Sequence, residues 1–435
     1  MNSIVMYGKG YGMDSNFLLS GAGAVRLYED YAKDLPLIDF HNHLSVADIA
    51  ADRMYGDLYE LWLGADPYKH RLMRICGVEE HYITGDAAPR EKFEKFCEVY
   101  PYLAGNPVYD WGRMELAEIF GIHTLPTKDT AGYIYDKAGE MLRSPEFSNN
   151  AILNRFHIAY QSPVASILDD LSGFNGKTVA PSLRGDNLLS PTAELIAELL
   201  RVTGSTSYWD ALCVMLDRFA AAGCRFADHA IDSGFFREDA DGSRTDMLVK
   251  LGAEYAKRGW TLLLHLDANR KTSQRLLDIA GPASCVAAPG GDISLREVSD
   301  LLRKMEMNAG LPDTVLFPLN MSDQAPMAVL QGSFVQDGVA SKVQLGPAWW
   351  WCDHALGIRN TLTSMAAFGV FSKFIGMTTD SRSILSFVRH DYFRRVLCSW
   401  LDEQNTLGHW DLPVDMQGQI LRDICYQNAK NKINR

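Results

Sequence analysis

Eight short runs of aliphatic and β-branched residues alternate along the chain with stretches of helical periodicity, and this alternation restricts the fold more than any other feature. In chain order the runs are 36–40, 164–168, 178–183, 224–227, 260–264, 314–319, 342–345 and 374–378. Strands that alternate with helices form parallel sheets, and eight such units can close into a (β/α)8 barrel. Continuous apolarity is typical of strands buried on both faces. We therefore predict an α/β protein built on a TIM-like (β/α)8 barrel.

The helical stretches indicate how the chain is divided. Between the runs, apolar residues recur at helical spacing over 192–202, 209–222, 246–257, 295–307 and 357–371. The long gap after the first run has helical patterns of its own, and a structureless loop of that length is uncommon in a compact domain. We predict a helical insertion subdomain over 45–160 within a barrel of residues 36–435. An N-terminal helical extension, residues 1–35, precedes the barrel.

Composition and charge restrict the partners of the chain. It has 435 residues, 54 acidic and 42 basic, and the formal charge of −12 disfavours nucleic-acid binding. No run approaches the roughly 18 apolar residues of a membrane span, and no secretory signal precedes the first run. The eight cysteines form no CxxC pair, which disfavours a thiolate zinc site and indicates reduced thiols. We expect a cytoplasmic homo-oligomer with a small-molecule substrate and no nucleic-acid or membrane partner.

Polar residues follow almost every run, where a barrel of this type places its chemistry. They are Asp39, His41 and His43 at the first run, Asp169 and Asp170 after the second, Arg184 after the third, Asp228 and His229 after the fourth, His265 after the fifth, Asn320 after the sixth, Trp349, Trp350, Trp351 and Asp353 after the seventh, and Asp380 and Arg382 after the eighth. This distribution predicts one site at the carboxyl ends of the strands.

The first of these sets predicts a metal site. His41 and His43 are two residues apart, and side chains at that spacing on a strand point to the same face. Two imidazoles and a carboxylate such as Asp380 suit zinc and similar divalent ions. An isolated HxH motif is more often a turn cap beside a surface histidine. Its place at a strand end, with His229, His265 and Asp380 at other strand ends, favours the metal site.

Other residues leave two interpretations open. Arg184 and Arg382 could form ordinary ion pairs, or their guanidinium groups could bind a carboxylate at the barrel mouth. By composition Tyr68 is a packing residue of the insertion, and at least one tryptophan of 349–351 belongs to the core. The motifs GxSxG, GxxxxGK[ST] and HExxH are absent from the sequence.

Seven segments of the chain form a pattern when they are taken together: IDFHNHL at 38–44, TGD at 84–86, GNP at 105–107, GCRFADH at 223–229, QLGPAWW at 344–350, TDSRS at 379–383 and RHDYFRR at 389–395. In this combination they resemble uronate isomerases of the amidohydrolase superfamily. The similarity runs in the same order from about residue 28 to residue 428. It implies a distorted barrel that holds a divalent metal, most often zinc. It also implies the interconversion of glucuronate with fructuronate and of galacturonate with tagaturonate.

The resemblance also implies roles for individual residues. His41, His43 and Asp380 match its metal ligands, and His265 matches a strand-end histidine of many members. Arg184 matches the residue that holds the sugar carboxylate, and Tyr68 and Arg382 match active-site positions. We expect Tyr68 to act as an acid and Arg382 to stabilise the enediolate, with the base left open between Asp380 and a metal-bound hydroxide. The remaining candidates for substrate contact are His229, Trp350 and Arg270.

Departures from the family pattern lie at the sugar-facing end. Pro67 and His70 replace a histidine and a tryptophan on either side of Tyr68, and Asp110 and Arg113 replace two histidines. We expect weaker activity on the common hexuronates, unless Asp110 and Arg113 simply pair with each other across three residues of a helix. Two rival functions stay open, a metal-dependent hydrolase of the same superfamily and a sugar-acid binding protein without turnover.

Overall fold

Seven parallel strands form one curled sheet in the computed structural model, which describes residues 14–281, 285–308 and 310–434. The described residues contain nine strands, seven in this sheet and two in a separate pair. They are β1 Leu37–Asn42, β2 Ile158–Ser166, β3 Ser182–Arg184, β4 Phe226–Ile231, β5 Thr261–Leu266, β6 Ala268–Asn269, β7 Ala288–Pro289, β8 Asp313–Pro318 and β9 Val343–Leu345. The sheet order is β1-β2-β3-β4-β5-β8-β9, and β6 and β7 form a separate antiparallel pair. The predicted TIM-like α/β class is confirmed.

The eighth predicted run, 374–378, is not a strand. It nevertheless lies between β9 and β1, because Ile375 N donates to Gln344 Oε1 of β9 at 3.0 Å and His41 N of β1 donates to Thr378 Oγ1 at 2.8 Å. Gly376 has a φ of +87°, a conformation incompatible with a regular strand. A Cβ at this glycine would also lie 2.1 Å from the carbonyl oxygen of Ile424. The barrel therefore closes through an irregular segment that is joined to β9 and β1 partly by side-chain hydrogen bonds, which is the distortion in this fold.

Helices surround the sheet. Their bounds are α1 Ala22–Leu27, α2 Val46–Ala50, α3 Leu58–Trp62, α4 Pro67–Ile75, α5 Pro89–Val99, α6 Pro107–Phe120, α7 Ala131–Met141, α8 Asn149–Asn154, α9 Ala193–Thr203, α10 Tyr208–Ala221, α11 Phe235–Glu238, α12 Ser243–Lys257, α13 Gln274–Ala280, α14 Leu295–Met307, α15 Gln324–Ser333, α16 Ala355–Phe368, α17 Val388–Thr406, α18 Val414–Arg422 and α19 Asn428–Ile433. None of these described helices is long and apolar enough to cross a membrane.

The segment between β1 and β2 contains the helices α2 to α8, as its periodicity predicts. Trp62 of α3 packs its ring against Phe93 and Phe96 of α5 and against Tyr100. Of the predicted N-terminal extension, residues 1–13 lie outside the described residues, while α1 continues into a π-helical turn at Tyr28–Ala32. The division into an extension, an insertion and a barrel stays a prediction.

Candidate active site

A cavity of about 850 Å³ lies at the carboxyl ends of the strands. Its walls come from the barrel and from the helices α4 and α6 of the insertion. Every residue to which the sequence analysis gave a metal, catalytic or substrate role lines this cavity except His229, the others being His41, His43, Tyr68, Arg184, His265, Arg270, Trp350, Asp380 and Arg382. Five strand-end residues without an assigned role do not line it, namely Asp39, Asp169, Asp170, Asn320 and Asp353. The strand-end argument thus collected residues that are up to 341 positions apart in the sequence, from His41 to Arg382, into one site.

The centre of the cavity is a carboxylate between two imidazoles. Oδ1 of Asp380 lies 3.2 Å from Nε2 of His41 and 2.9 Å from Nε2 of His43. The other carboxylate oxygen, Oδ2, accepts a hydrogen bond of 2.5 Å from the indole Nε1 of Trp349. One oxygen of Asp380 therefore faces the histidines, while the other is held by the wall of the barrel.

The backbone at Asp380 is strained, because its φ of +48° is uncommon for a residue with a side chain. Asp380 N donates to the carbonyl oxygen of His41 at 3.0 Å, and His43 N donates to the carbonyl oxygen of Ser381 at 2.8 Å. These two bonds fix the irregular segment against β1. The strain is thus maintained by the same strand that carries the histidines.

Asp39 lies two residues before His41 and is completely buried, and it binds the irregular segment 378–380. Its carboxylate accepts hydrogen bonds from the hydroxyl groups of Thr378 and Thr379, the backbone N–H of Thr379 and the side chain of Asn42, and Nε2 of His390 lies 3.2 Å away. Burial raises the pKa of this carboxyl, but His390 and the other donors outweigh burial and hold it below its usual value. Asp39 therefore positions Asp380 through Thr378 and Thr379, the two residues that precede Asp380 in the chain.

A second acid–histidine pair completes the site. Nδ1 of His265 on β5 lies 2.6 Å from Oδ1 of Asp228 on β4, and the rings of His265 and His41 are 4.8 Å apart. Both side chains are buried. The burial cost to the ionised Asp228 is outweighed by His265 and His41, so its pKa is lowered. The sequence analysis named Asp228 as a strand-end residue but gave the role of substrate contact to its neighbour His229.

The electrostatic state of the central residues follows from burial and from these neighbours. Burial would raise the pKa of Asp380, but the hydrogen bonds and charges of His41 and His43 hold it well below 3.8. Burial lowers the pKa of His43, whereas the carboxylates of Asp228 and Asp380 outweigh burial at His41 and raise its pKa. Asp380 is therefore ionised at neutral pH.

These residues fit a divalent metal ion. Ligand atoms of His41, His43 and Asp380 all lie within 4.8 Å of one another, and so do those of His41, Asp228 and His265. In the described part of the chain, the buried Nδ1 of His41 and Nε2 of His265 have no hydrogen-bond partner. A nitrogen and oxygen donor set of this kind suits zinc and similar ions.

Tyr68 enters the cavity from helix α4. Asp66 caps this helix by accepting from the backbone N–H of Tyr68 at 2.9 Å and of Lys69 at 3.2 Å, and Pro67 occupies the first helical position. Burial raises the pKa of Tyr68 well above 10, and the guanidinium of Arg389, 5.7 Å from its ring centre, opposes this effect. Tyr68 is therefore protonated at neutral pH and can donate a proton.

A buried ion cluster holds α4 in place. Lys69 is 2% exposed, and its Nζ lies 2.8 Å from Oδ2 of Asp66, 3.2 Å from Oε2 of Glu115 and 2.8 Å from the carbonyl oxygen of Trp62. Trp62 Nε1 also donates to Oε2 of Glu115. Burial raises the pKa of Glu115, and Lys69 opposes that rise. Because Tyr68 lies between Asp66 and Lys69, this cluster fixes the position of the phenol.

Comparison with known proteins identifies the chain. A model of the family described as glucuronate isomerase matches residues 11–244 and 235–432. The chain belongs to this family. The uronate isomerase of Geobacillus thermodenitrificans is 36% identical, with 96% of this chain and 98% of that protein covered. The uronate isomerase of Caldanaerobacter subterraneus is 35% identical at the same coverage.

Solved structures of lower identity share the fold of this glucuronate isomerase family member. The uronate isomerase of Thermotoga maritima has a TM-score of 0.88 at 24% identity, with 97% of this chain and 99% of that chain covered. The glucuronate isomerase of Caulobacter crescentus has a TM-score of 0.87 at 20% identity and covers 98% of both chains. These two solved structures therefore share the fold described here over nearly their whole length.

His229 does not lie where the sequence predicted. Side chains alternate along β4, so Asp228 and Ala230 face the cavity while His229 faces the helix layer. There its Nε2 lies 2.9 Å from the hydroxyl of Tyr255 on α12, and its ring packs against Gly185. The predicted substrate contact does not agree with this placement. Strand alternation requires that only one of Asp228 and His229 faces the cavity, and the structure shows that it is Asp228.

The family departures also lie in different places. Pro67 lines the cavity, whereas Asp110 and Arg113 are not among the lining residues of the described chain. Arg113 places its guanidinium 5.3 Å from the ring centre of Tyr109. Burial raises the pKa of Asp110 to about 6, against the opposing charge of Arg113. A direct effect of the Asp110 and Arg113 departures on substrate is therefore not supported by their position.

Sequence reasoning gave no individual role to three further residues of this glucuronate isomerase family site, Trp349, Asp353 and Arg389, although the first two were named as strand-end residues. Trp349 holds Asp380, whereas the predicted Trp350 stacks on Trp349 with ring centres 4.8 Å apart. Arg389 faces Tyr68 and forms a buried ion pair of 2.8 Å with Asp353. The RHDYFRR segment was noticed for its resemblance, but no periodicity argument could place its first residue in the cavity wall.

Proposed function

We propose that this chain is a metal-dependent isomerase that converts D-glucuronate to D-fructuronate and D-galacturonate to D-tagaturonate. The observation that carries this proposal is the convergence of an ionised carboxylate, a protonated phenol and several guanidinium groups on one cavity. Moving a proton between adjacent carbons needs an acceptor, a donor and stabilisation of the anionic intermediate. Membership of the glucuronate isomerase family supports the same reaction.

His41, His43 and Asp380 are the proposed metal ligands, with His265 as a further ligand and zinc as the ion. When bound, such an ion would polarise substrate oxygen atoms as a Lewis acid. A His43→Ala variant should lose its metal by elemental analysis after dialysis, since one of the three proposed imidazole ligands is removed. Retention of about one metal per chain in that variant would disprove this ligand set.

Asp380 and Tyr68 are the proposed proton-transfer pair. Asp380 takes the proton from C2 of the open-chain aldose, which forms an enediolate with negative charge on the C1 oxygen. The Tyr68 hydroxyl then donates its proton to that oxygen, which gives the enediol. The C2 hydroxyl then returns a proton to Tyr68, and Asp380 delivers its proton to C1, which gives the ketose. The low pKa of Asp380 keeps it ionised before the first step, and burial keeps Tyr68 protonated.

Arg382 and Arg184 are the proposed anion-binding residues. Arg382 follows Asp380 in the chain, lines the cavity and is close enough to His43 to lower its pKa further, beyond the effect of burial. It would stabilise the negative charge of the intermediate. Arg184 ends β3 and lines the same cavity, where it would hold the remote carboxylate of the sugar.

Incubation of the purified protein with D-glucuronate, D-galacturonate and neutral D-glucose in heavy water tests the function. Nuclear magnetic resonance should show the two ketoses but no product from glucose, and deuterium at C1 would report exchange of the transferred proton. Asp380→Asn and Tyr68→Phe should each lose activity by more than about a hundredfold. Wild-type protein that makes no ketose from either uronate would overturn the proposal.

Pro67 is the departure that bears on substrate preference. It lines the cavity beside Tyr68 and offers neither a donor nor a charged group. We propose that this lowers activity on the common hexuronates, because a polar contact to a sugar hydroxyl is missing. Pro67→His should raise kcat/KM for glucuronate, whereas His70→Trp, at a position buried away from solvent, serves as a comparison.

A cytoplasmic location and a homo-oligomeric state are further proposals, and size-exclusion chromatography tests the latter.

A further inference from the structure

Arg270 is held in a fixed orientation at the cavity wall. It follows β6, lines the cavity, and its Nε lies 3.0 Å and 2.8 Å from the two carboxylate oxygens of Asp232. Its guanidinium carbon lies 5.0 Å from the ring centre of Trp350. Two contacts of different kinds thus fix the plane of the guanidinium, an ion pair at one edge and an aromatic face beneath.

Arg184 is held in the same manner by Asp186. Its Nε lies 3.3 Å from Oδ2 of Asp186, and this carboxylate is itself fixed by the N–H of Ala230 at 2.7 Å. Within the described residues, neither Arg184 nor Arg270 uses its terminal nitrogens Nη1 and Nη2 in a hydrogen bond. A guanidinium binds a carboxylate through a pair of parallel N–H groups, so each arginine retains a binding edge.

The two arginines belong to one cluster of charges. Burial raises the pKa of Asp232, and the charges that also act on it are those of Arg270, Asp186 and Arg184. The side chains of both arginines and of Asp232 are between 37% and 39% exposed. Ion pairs at such exposure contribute little to stability. Asp186 and Asp232 therefore neutralise part of the charge of the two arginines, but these ion pairs are too weak to prevent the arginines from binding the carboxylate of a ligand.

The cluster is linked to the reacting end of the cavity by two stacked indoles. Trp350, beneath Arg270, stacks on Trp349 at 4.8 Å and an angle of 27°, and Trp349 donates to Asp380. Trp350 has a φ of +45°, a strained conformation for this residue. The strained turn places Trp350 against Arg270 and Trp349 against Asp380, so two rigid rings separate the guanidinium from that carboxylate.

We propose that Arg270 is a second carboxylate-binding residue, which acts with Arg184 as a clamp that selects sugar acids over neutral sugars. Asp232 and Trp350 are positioning residues for it. The inference rests on the proposed function only for the identity of the sugar. The ligand class it names is an open-chain polyhydroxy monocarboxylate, whose far end reaches Asp380.

Binding of two unreactive compounds tests the clamp. L-Gulonate and D-glucitol are open-chain polyols that differ only in a carboxylate against a hydroxymethyl group, and neither has an aldehyde to isomerise. Calorimetric titration of the wild-type protein should show a clear preference for L-gulonate. Arg270→Met should weaken L-gulonate binding by about tenfold or more, with little change for D-glucitol. The matched control is Arg275→Met, which removes the same charge from an exposed residue of α13. Arg275 is not itself among the cavity-lining residues, so this variant should change neither affinity.

The outcomes separate this inference from the proposed function. If Arg270→Met binds L-gulonate as tightly as the wild type, or if Arg275→Met weakens binding equally, Arg270 is not part of a clamp, even where uronates are isomerised. If Arg270→Met loses only L-gulonate binding while the wild type makes no ketose, the clamp stands and the proposed reaction fails. Arg270→Lys, which keeps the charge but loses the paired N–H groups, should recover only part of the affinity.

Discussion

The indole Nε1 of Trp349 donates a 2.5 Å hydrogen bond to Oδ2 of Asp380, whose Oδ1 faces Nε2 of His41 and His43. Trp349 therefore decides which oxygen of the carboxylate is presented to the histidines. No sequence motif predicts this contact, because it joins two separate segments of the chain, the loop after β9 and the irregular segment beside β1.

Trp349→Phe should weaken metal retention and lower kcat by about tenfold, because loss of the indole donor lets the carboxylate rotate. Outer hydrogen bonds of this kind commonly change metal affinity by about 10- to 100-fold. The measurement is metal content after dialysis against a weak chelator, followed by activity. Trp350→Phe is the control, since Trp350 stacks on Trp349 but forms no hydrogen bond to Asp380, and it should retain metal like the wild type. Equal metal loss in both variants would contradict the specific role of Nε1.

Asp39→Asn should destabilise the fold by about 3 kcal/mol or more, because a buried carboxylate that receives several donors is replaced by an amide with one acceptor oxygen. Chemical denaturation measures this loss. Asp34→Asn, the same change on an exposed side chain five residues earlier, should alter stability by less than about 0.5 kcal/mol. A small effect at Asp39 would show that the segment 378–380 is held by other contacts.

Lys69→Met should cost about 3–5 kcal/mol of folding free energy, because Asp66 and Glu115 are left buried with an uncompensated charge. The double variant Lys69→Met with Glu115→Gln should recover part of this loss, since the remaining buried carboxylate is then the helix cap alone. Denaturant unfolding of both variants and of Glu115→Gln forms a double-mutant cycle. Strict additivity of the two single changes would show that Lys69 and Glu115 are not coupled.

Asp110 predicts a pH dependence of stability. Burial raises its pKa in the folded protein to about 6, above the value of an unfolded chain, so the folded state binds this proton more tightly. Its ionisation therefore destabilises the fold above pH 6, and the penalty disappears as the pH falls toward 4. Asp110→Asn should be more stable than the wild type by about 1–2 kcal/mol at pH 8, a value discounted for partial exposure, and about equal at pH 4. Thermal unfolding across this range is the measurement, and exposed Asp129→Asn should show no such pH-dependent difference.

Arg184→Met should raise KM for glucuronate by about tenfold or more, because a charge-assisted bidentate contact to the carboxylate is lost. Its effect on kcat should be smaller, since the residue lies apart from the proton-transfer pair. Steady-state kinetics on glucuronate and galacturonate measure both constants. A fall in kcat with an unchanged KM would place Arg184 in the chemical step instead of in carboxylate binding.

The sequence by itself determined the barrel class, the strand ends as the place of chemistry, and His41, His43 and Asp380 as partners. These follow from local patterns, since apolar runs mark buried strands and parallel strands must bring their carboxyl ends to one edge. Only the tertiary structure decided which way individual side chains point from their strands. The parity of β4 turned His229 toward Tyr255 and left Asp228 in the cavity.

The eighth segment shows the same limit. Residues 374–378 have the apolar pattern of a strand, yet the positive φ of Gly376 and Asp380 replaces a strand by an irregular path. That path is held by side-chain hydrogen bonds of Asp39, Thr378 and Gln344 together with two backbone hydrogen bonds to His41 and His43, in place of a regular backbone ladder. Contacts between residues more than 300 positions apart have no signature in a local pattern, because they are selected by the packing of the closed barrel.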